Sequence, residues 1–287
     1  MPIALRRALL TAAAVLVVLV FVGATYQGVA TALERREFPY PGRLIEIGGY
    51  QLHLYCVGDG TPTVVLEAPA AGMSAAWGWV QPAVATTTRV CSYDRAGLGW
   101  SDATARPYDP AAVAEQLHVL LERAGEHAPF VVAGQGLGAA FATLDAAQFG
   151  ADAASLILVD PPPPPGEGPR GSPVVRFVNM SPWLARTGLL RATRLMSSSA
   201  SGLPGPAAGA LTAFLNRPDH LTRAAREMAR WDDTVRLAAG VSFDHDLPTL
   251  RLEVGGHDGI AFLTDAGQAA GVSAAIVGAV EQVRRRP

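Results

Sequence analysis

The stretch "PFVVAGQGLGAAFATL", Pro129 to Leu144, decides the fold. "FVVAG" is a short apolar run rich in β-branched residues and reads as a buried strand. Glycines follow at 134, 136 and 138, then an alanine-rich segment of helical character. A strand that becomes a helix within so few residues has to turn very sharply. Glycine takes the required backbone angles without a steric cost. The prediction is strand, tight turn, helix, with Gly136 at the apex.

The same alternation extends to both sides. "RLIEIGGYQLHLYCVG", Arg43 to Gly58, reads as a hairpin around Gly48-Gly49. "TVVLEA" (Thr63–Ala68), "RVCSYD" (Arg89–Asp94) and "SLILVD" (Ser155–Asp160) are apolar runs of the buried-strand type. A helix opens at Pro110, capped by Asp109, with Val113, Leu117, Leu120 and Leu121 on one face. Strands alternating with helices imply a mostly parallel sheet covered on both faces. The prolines at 161–165 break the pattern, and from Pro173 to about Ala239 the chain reads as helices only, with a mobile connection at Ser197–Pro206. Strand character returns in "LPTLRLEV", Leu247 to Val254. A closing helix follows from about Ala269 to Val283, with Val272, Ile276 and Val280 on one face.

With 287 residues, 49% hydrophobic and 17% charged, the chain can fill one large core or a core with an insertion. The net charge of −2 offers no basic field for nucleic acid, and the terminal Arg284–Arg286 reads as a solvated helix end. Nothing calls for a cofactor or a metal. At the other terminus, Arg6 and Arg7 precede Ala8–Thr25, eighteen residues without a charge. As a helix these rise about 27 Å, close to the hydrocarbon thickness of a bilayer. The expectation is a single-pass membrane protein with its globular part outside. The alternative is a secreted protein, since Val22–Ala24 and Ala30–Ala32 resemble signal cleavage sites. Cys56 and Cys91 are then either buried thiols or a disulfide.

The order of these pieces resembles the α/β-hydrolase superfamily, and bacterial membrane-anchored members of it in particular. The resemblance rests on "LHLYCVGDGTPTVVLEA", "TRVCSYDRAGLGWSD" and "GQGLGAA…LILVDPP", with "GGHDGI" more weakly. It implies a core at 37–162 and 247–287, a helical cap inserted at 163–246, and an anchor or signal with linker at 1–36. The apolar stretch "FVNMSPWLARTGLL", Phe177 to Leu190, in that cap suits a small apolar molecule in a pocket between core and cap, or else packs on the core. In the superfamily the sharp turn reads G-x-S-x-G and its serine attacks the substrate. That serine needs a histidine to take its proton, a carboxylate to orient the histidine, and backbone N–H groups for the oxyanion.

Carried onto this chain, the roles come out unevenly. Gly136 stands at the nucleophile position without a side chain. His257 matches the family's histidine. The acid is weakest: one strand, not two, separates the cap from His257, so the C-terminal sheet reads as shortened. Asp258 is badly placed as the histidine's direct neighbour. Asp160, after the sixth strand, is a substitute acid or else a cap on that strand's end. The oxyanion N–H groups fall to Ala70 and Leu137, with Pro69 where the family commonly has glycine. Ser74 and Ser101 sit in rim loops but on no elbow, and His53, His118, His127, His220 and His245 match no motif and read as surface or boundary residues. The superfamily places the strands of Cys56 and Cys91 side by side, which makes a disulfide geometrically open. The leading expectation is a membrane-tethered ligand-binding pseudo-hydrolase. An ester or amide hydrolase using His257 with water, and a truncated, decaying paralogue, are the alternatives.

Overall fold

The computed structural model describes residues 2–243, 246–255 and 262–286. It opens with one long helix, α1 (Ile3–Glu37), whose apolar stretch is long enough to cross a membrane and is unburied by the rest of the chain. The body is built on strands β1 (Arg43–Glu46), β2 (Gln51–Val57), β3 (Thr63–Glu67), β4 (Val90–Tyr93), β5 (Phe130–Gln135), β6 (Ala153–Val159) and β7 (Thr249–Leu252). Between them lie helices α2 (Val80–Val84), α3 (Pro110–Ala124) and α4 (Leu137–Phe149), and α10 (Ala266–Arg285) closes the chain.

The strands form a single sheet in the order β1-β2-β4-β3-β5-β6-β7. β1, β2 and β4 are antiparallel neighbours, and from β4 through β3, β5 and β6 to β7 the pairing is parallel. Every residue of β3 and β5 is buried, as a strand covered on both faces requires. The pleat sends Val132 to one face and Val131 and Ala133 to the other. Val132 packs with Leu117, Leu120 and Leu121 of α3, while Val131 and Ala133 pack with Val80 of α2 and Val272, Ile276 and Val280 of α10. Each such side chain contributes about 1.5–3 kcal/mol of burial.

Local chemistry sets the helix ends. Asp109 accepts from the Ala111 N–H at 3.1 Å with Pro110 in the first helical position, and Gly125 ends α3 in the left-handed conformation. Ser172 caps the next helix in the same way, accepting from the Val175 N–H at 3.2 Å. That helix, α5 (Pro173–Arg186), begins the insertion between β6 and β7. It continues through α6 (Leu189–Thr193), α7 (Gly205–Phe214), α8 (Pro218–Ala229) and α9 (Trp231–Ala239). Among the described residues the insertion contains no strand, in line with its sequence. β7 is shorter than the run from Leu247 to Val254 that carries its pattern. Among the described residues it is the last strand and forms the sheet edge.

Candidate active site

Gly136 sits between β5 and α4 with φ 56° and ψ −126°, angles that a residue with a Cβ adopts only under strain. Its N–H donates to the Val159 carbonyl at 2.9 Å and its own carbonyl accepts from Ala139 N–H at 2.9 Å, so the turn is pinned on both sides. The flanking glycines serve a different purpose. A Cβ on Gly138 would meet the carbonyl oxygens of Ala68 at 2.4 Å and Glu67 at 2.6 Å, and one on Gly134 would meet the Gly138 carbonyl oxygen at 2.2 Å. They let the first turn of α4 rest directly on the sheet beside the end of β3. The elbow is complete, and its apex carries no atom beyond the backbone.

Ala70 and Leu137, the expected oxyanion residues, are fully buried and share one apolar cluster. Val178, Met228 and Trp231 of the insertion complete that cluster, so the helical insertion packs over the elbow. Pro69 lends its carbonyl to the Gly72 N–H at 2.9 Å and to the Arg95 guanidinium at 3.1 Å, and Ala71 takes a positive φ of 57°.

Asp160 also has a positive φ, 42°. Its Oδ1 accepts from the N–H groups of Val254 at 2.7 Å and Gly255 at 3.2 Å, and its own N–H donates to Leu252. This carboxylate clamps the ends of β6 and β7 together. His257 and Asp258 lie outside the described residues, as does His245.

A serine, a histidine and an aspartate do meet elsewhere. His53 Nδ1 lies 3.0 Å from Asp94 Oδ2 and 3.4 Å from Ser74 Oγ, and all three residues are buried. The arrangement is not a catalytic relay. A relay places the carboxylate on one ring nitrogen and the hydroxyl on the other. Here both crowd Nδ1, while Nε2 donates to the Pro41 carbonyl. Burial alone would lower the His53 pKa, but the Asp94 charge and hydrogen bond, helped by the Pro41 carbonyl, outweigh it and raise it. With an acceptor facing each nitrogen, Asp94 at Nδ1 and the Pro41 carbonyl at Nε2, the ring offers no free lone pair for a serine proton. Asp94 ties the group to its surroundings, accepting from Ser74 N–H at 2.6 Å and Trp100 N–H at 2.8 Å. Ser101 joins Asp94 to β2 by donating to its carbonyl and accepting from His53 N–H.

Two histidines thus depart from the sequence reading. His53 and His220 are not surface or boundary residues but fully buried. His220 accepts from Gly99 N–H at 3.0 Å through Nδ1 and donates to the Ala71 carbonyl at 2.9 Å through Nε2, and burial lowers its pKa so that it stays neutral. His53 lies between Leu52 and Leu54 in the part of β2 that is buried on both faces.

Beneath the elbow runs a buried charge network that sequence reading missed. Arg95, the residue after Asp94, donates to Glu67 at 3.0 Å and to the Ala68 carbonyl at 2.8 Å, and forms a two-pronged pair with Glu227 of α8. Burial would raise the Glu227 pKa, but Arg95 and then Arg223 more than reverse it, holding its carboxyl below the usual range. Glu67 also accepts from the Tyr93 hydroxyl. Next to it lies Asp145 of α4, which burial and then the Glu67 charge push well above the ordinary carboxylate range. The Asp-Arg pair in "YDRAGLG" was the available signal, since a charged pair inside an apolar stretch needs partners.

Cys56 and Cys91 stand directly opposite each other across β2 and β4 and are joined by a disulfide. Between the body and the insertion lies a cavity of about 530 Å³, lined by Phe177, Val178 and Ser181 of α5, Leu221 of α8, Phe262 and Ala71. Its walls are mainly apolar, and Ala71 connects it to the oxyanion loop.

Comparison with known proteins agrees with this architecture. The Alpha/beta hydrolase family matches residues 58–279. The Cif epoxide hydrolase of Acinetobacter nosocomialis superposes with a TM-score of 0.69 at 14% identity over 90% of this chain and 96% of its own. The enol-lactonase of Burkholderia xenovorans LB400 does so at 0.61 and 16% identity, over 83% of this chain and all of its own. A structure described as a membrane phospholipase A, a bacterial virulence factor, gives 0.59 and 17% identity over the full length of both chains. At these identities the likeness is one of fold. An uncharacterized protein of Schizosaccharomyces pombe is 32% identical over 81 residues, a match that takes in 28% of this chain and 15% of that protein. The family match over most of the chain, the strand order and the elbow geometry agree: the chain belongs to the alpha/beta hydrolase family.

Proposed function

We propose that this protein is a membrane-tethered pseudo-hydrolase that binds a small apolar molecule, in the cavity beneath its helical cap, and does not cleave it by covalent catalysis. The observation that carries the reading is Gly136 at the apex of an otherwise complete elbow. The family's chemistry begins with a side-chain oxygen at that point, and glycine has none. The buried Ser74–His53–Asp94 group supplies no replacement, because both nitrogens of its imidazole already face acceptors, Asp94 and the Pro41 carbonyl. Removing the catalytic triad from a serine hydrolase costs on the order of a million-fold in kcat.

Binding is supported by the cavity itself, which at about 530 Å³ is of ligand size. Its apolar walls suit an acyl chain or a compact hydrophobic molecule. The membrane phospholipase among the structural neighbours is consistent with a lipid-derived ligand. The apolar stretch of α1 serves as the tether, with the globular part exported.

The test uses the full chain in detergent, a panel of p-nitrophenyl esters and a fluorescent fatty acid. The expected result is no wild-type turnover above the His257→Ala variant, together with saturable binding of the fatty acid. Wild-type turnover that disappears in His257→Ala overturns the reading in favour of a hydrolase using that histidine with water. Turnover that arises only in Gly136→Ser supports it and shows that the missing oxygen is the main deficit.

A further inference from the structure

The apolar helix is not held away from the body. Gly23 lies so close to the turn between α5 and α6 that a Cβ on it would meet the Thr187 carbonyl oxygen at 2.1 Å. Reciprocally, a Cβ on Gly188 would meet the Gly23 carbonyl oxygen at 2.7 Å. One turn further along α1, Gln27 is buried and its amide donates to the Asn216 carbonyl at 2.8 Å. Arg191 of α6 donates to the Gln27 side chain at 3.0 Å and pairs with Glu34 through both arms of its guanidinium. Helix and insertion are therefore fastened along three successive levels.

The height of the first contact matters. No charge occurs from Ala8 to Leu33, but the strongly apolar part closes at Thr25, before Tyr26 and Gln27, and Gly23 is two residues inside that part, about 3 Å by helical rise. A bilayer that covers this run brings its interfacial zone to the level of the α5–α6 turn. Large apolar side chains are exposed around that turn: Trp183 is 71% exposed, Met180 57% and Leu189 49%. The Arg186 guanidinium lies over the Trp183 ring at 5.0 Å. An indole with a basic group beside it suits the boundary between headgroups and acyl chains, where one part is apolar and the other hydrated.

We infer that the α5–α6 corner is itself seated in the bilayer that α1 crosses, with Trp183, Met180 and Leu189 at the headgroup–acyl boundary of the leaflet away from Arg6 and Arg7. This rests on the reading of α1 as a membrane span. The occupant of the exposed apolar face is phospholipid, because α1, the membrane span, packs against this same corner at Gly23 and Gly188. The helix α5 then separates two apolar environments. Residues 180 and 183 face lipid, while Phe177, Val178 and Ser181 line the cavity. A ligand drawn from the leaflet has one helix to pass.

The test is lipid-depth quenching in the full chain reconstituted into phospholipid nanodiscs, with both native cysteines held in their disulfide. A fluorophore is placed on single cysteines made by Val18→Cys, Trp183→Cys, Leu189→Cys and Glu122→Cys. Position 122 is exposed in the last turn of α3, at the end of the sheet opposite the insertion. Spin-labelled phospholipids are expected to quench positions 18, 183 and 189 several-fold more than 122. Quenching at 18 with 183 and 189 no different from 122 overturns the inference and leaves the span intact. Failure at 18 as well overturns the span on which it rests. Trp183 and Leu189 are largely exposed, so these labels leave the core packing unaltered.

Discussion

Arg95 and Glu227 meet in a two-pronged ion pair, Nε to Oε1 at 2.9 Å and Nη2 to Oε2 at 3.0 Å, although one follows β4 and the other lies on α8 of the insertion. Both are fully buried, so neither charge has water to fall back on. Glu227→Gln is expected to destabilise the fold by about 3–5 kcal/mol, the usual cost of breaking a buried pair from one side. The carboxyl is held below its unfolded value, so its contribution is present above the unfolded pKa and is lost as pH falls through the folded one. Urea melts of wild type and variant should therefore converge in acid. Limited proteolysis should cut the insertion first in the variant.

His53 titrates in the opposite sense. Its folded pKa is raised, so its stabilisation is complete below the unfolded value of about 6.5 and fades as pH rises through the folded value. His53→Gln should cost most on the acid side of neutrality and progressively less in alkaline buffer. A gap between the two melting curves that is independent of pH, or that widens with pH, would contradict the raised pKa of His53.

Asp145 shares a side-chain hydrogen bond with Glu67, and burial, followed by the Glu67 charge and that hydrogen bond, raises its pKa well above the ordinary range and favours its protonated form in the fold. An unfolded chain ionises it, so near neutrality the wild-type residue costs stability. Asp145→Asn, an isostere of the protonated form, should raise Tm at pH 7. The gain should shrink as pH falls toward about 4, where the unfolded carboxyl is protonated too.

Two glycine-to-alanine changes should have opposite signs. Gly278 in α10 has nothing within 4 Å of an added Cβ, so Gly278→Ala should stabilise by about 0.5–1 kcal/mol through helix propensity. Gly138→Ala drives the Cβ into two backbone carbonyls and should destabilise by about 1–3 kcal/mol or more. Chemical denaturation of the two variants side by side decides it.

Most of the sheet was legible because its strands are short apolar runs separated by Gly, Pro and Asp, and because caps such as Asp109 with Pro110 mark helix starts. Strand ends were less so: β7 stops at Leu252, two residues before its apolar pattern does, since strand termination is set by pairing with β6. The elbow was legible from Gly134, Gly136 and Gly138 together. The Asp94–His53 pair and the Arg95–Glu227 pair were not, because each joins residues far apart in sequence and only the crossing of strands brings them into register. The close approach of Gly23 to Gly188 was equally invisible, as neither glycine stands in a motif.

The angles at Gly136 give this position a direction. With φ at 56° and ψ at −126°, glycine rests where a serine would be held under strain of about 1–3 kcal/mol. Exchange between the two is therefore asymmetric: the step that discards the nucleophile also relaxes the backbone, and the step that restores it must be absorbed by the rest of the molecule. A marginally stable protein can afford only a few such steps at once. Recovering activity at this elbow consequently depends on spare stability elsewhere, so compensating substitutions remote from the pocket are as much a precondition for chemistry as the hydroxyl itself.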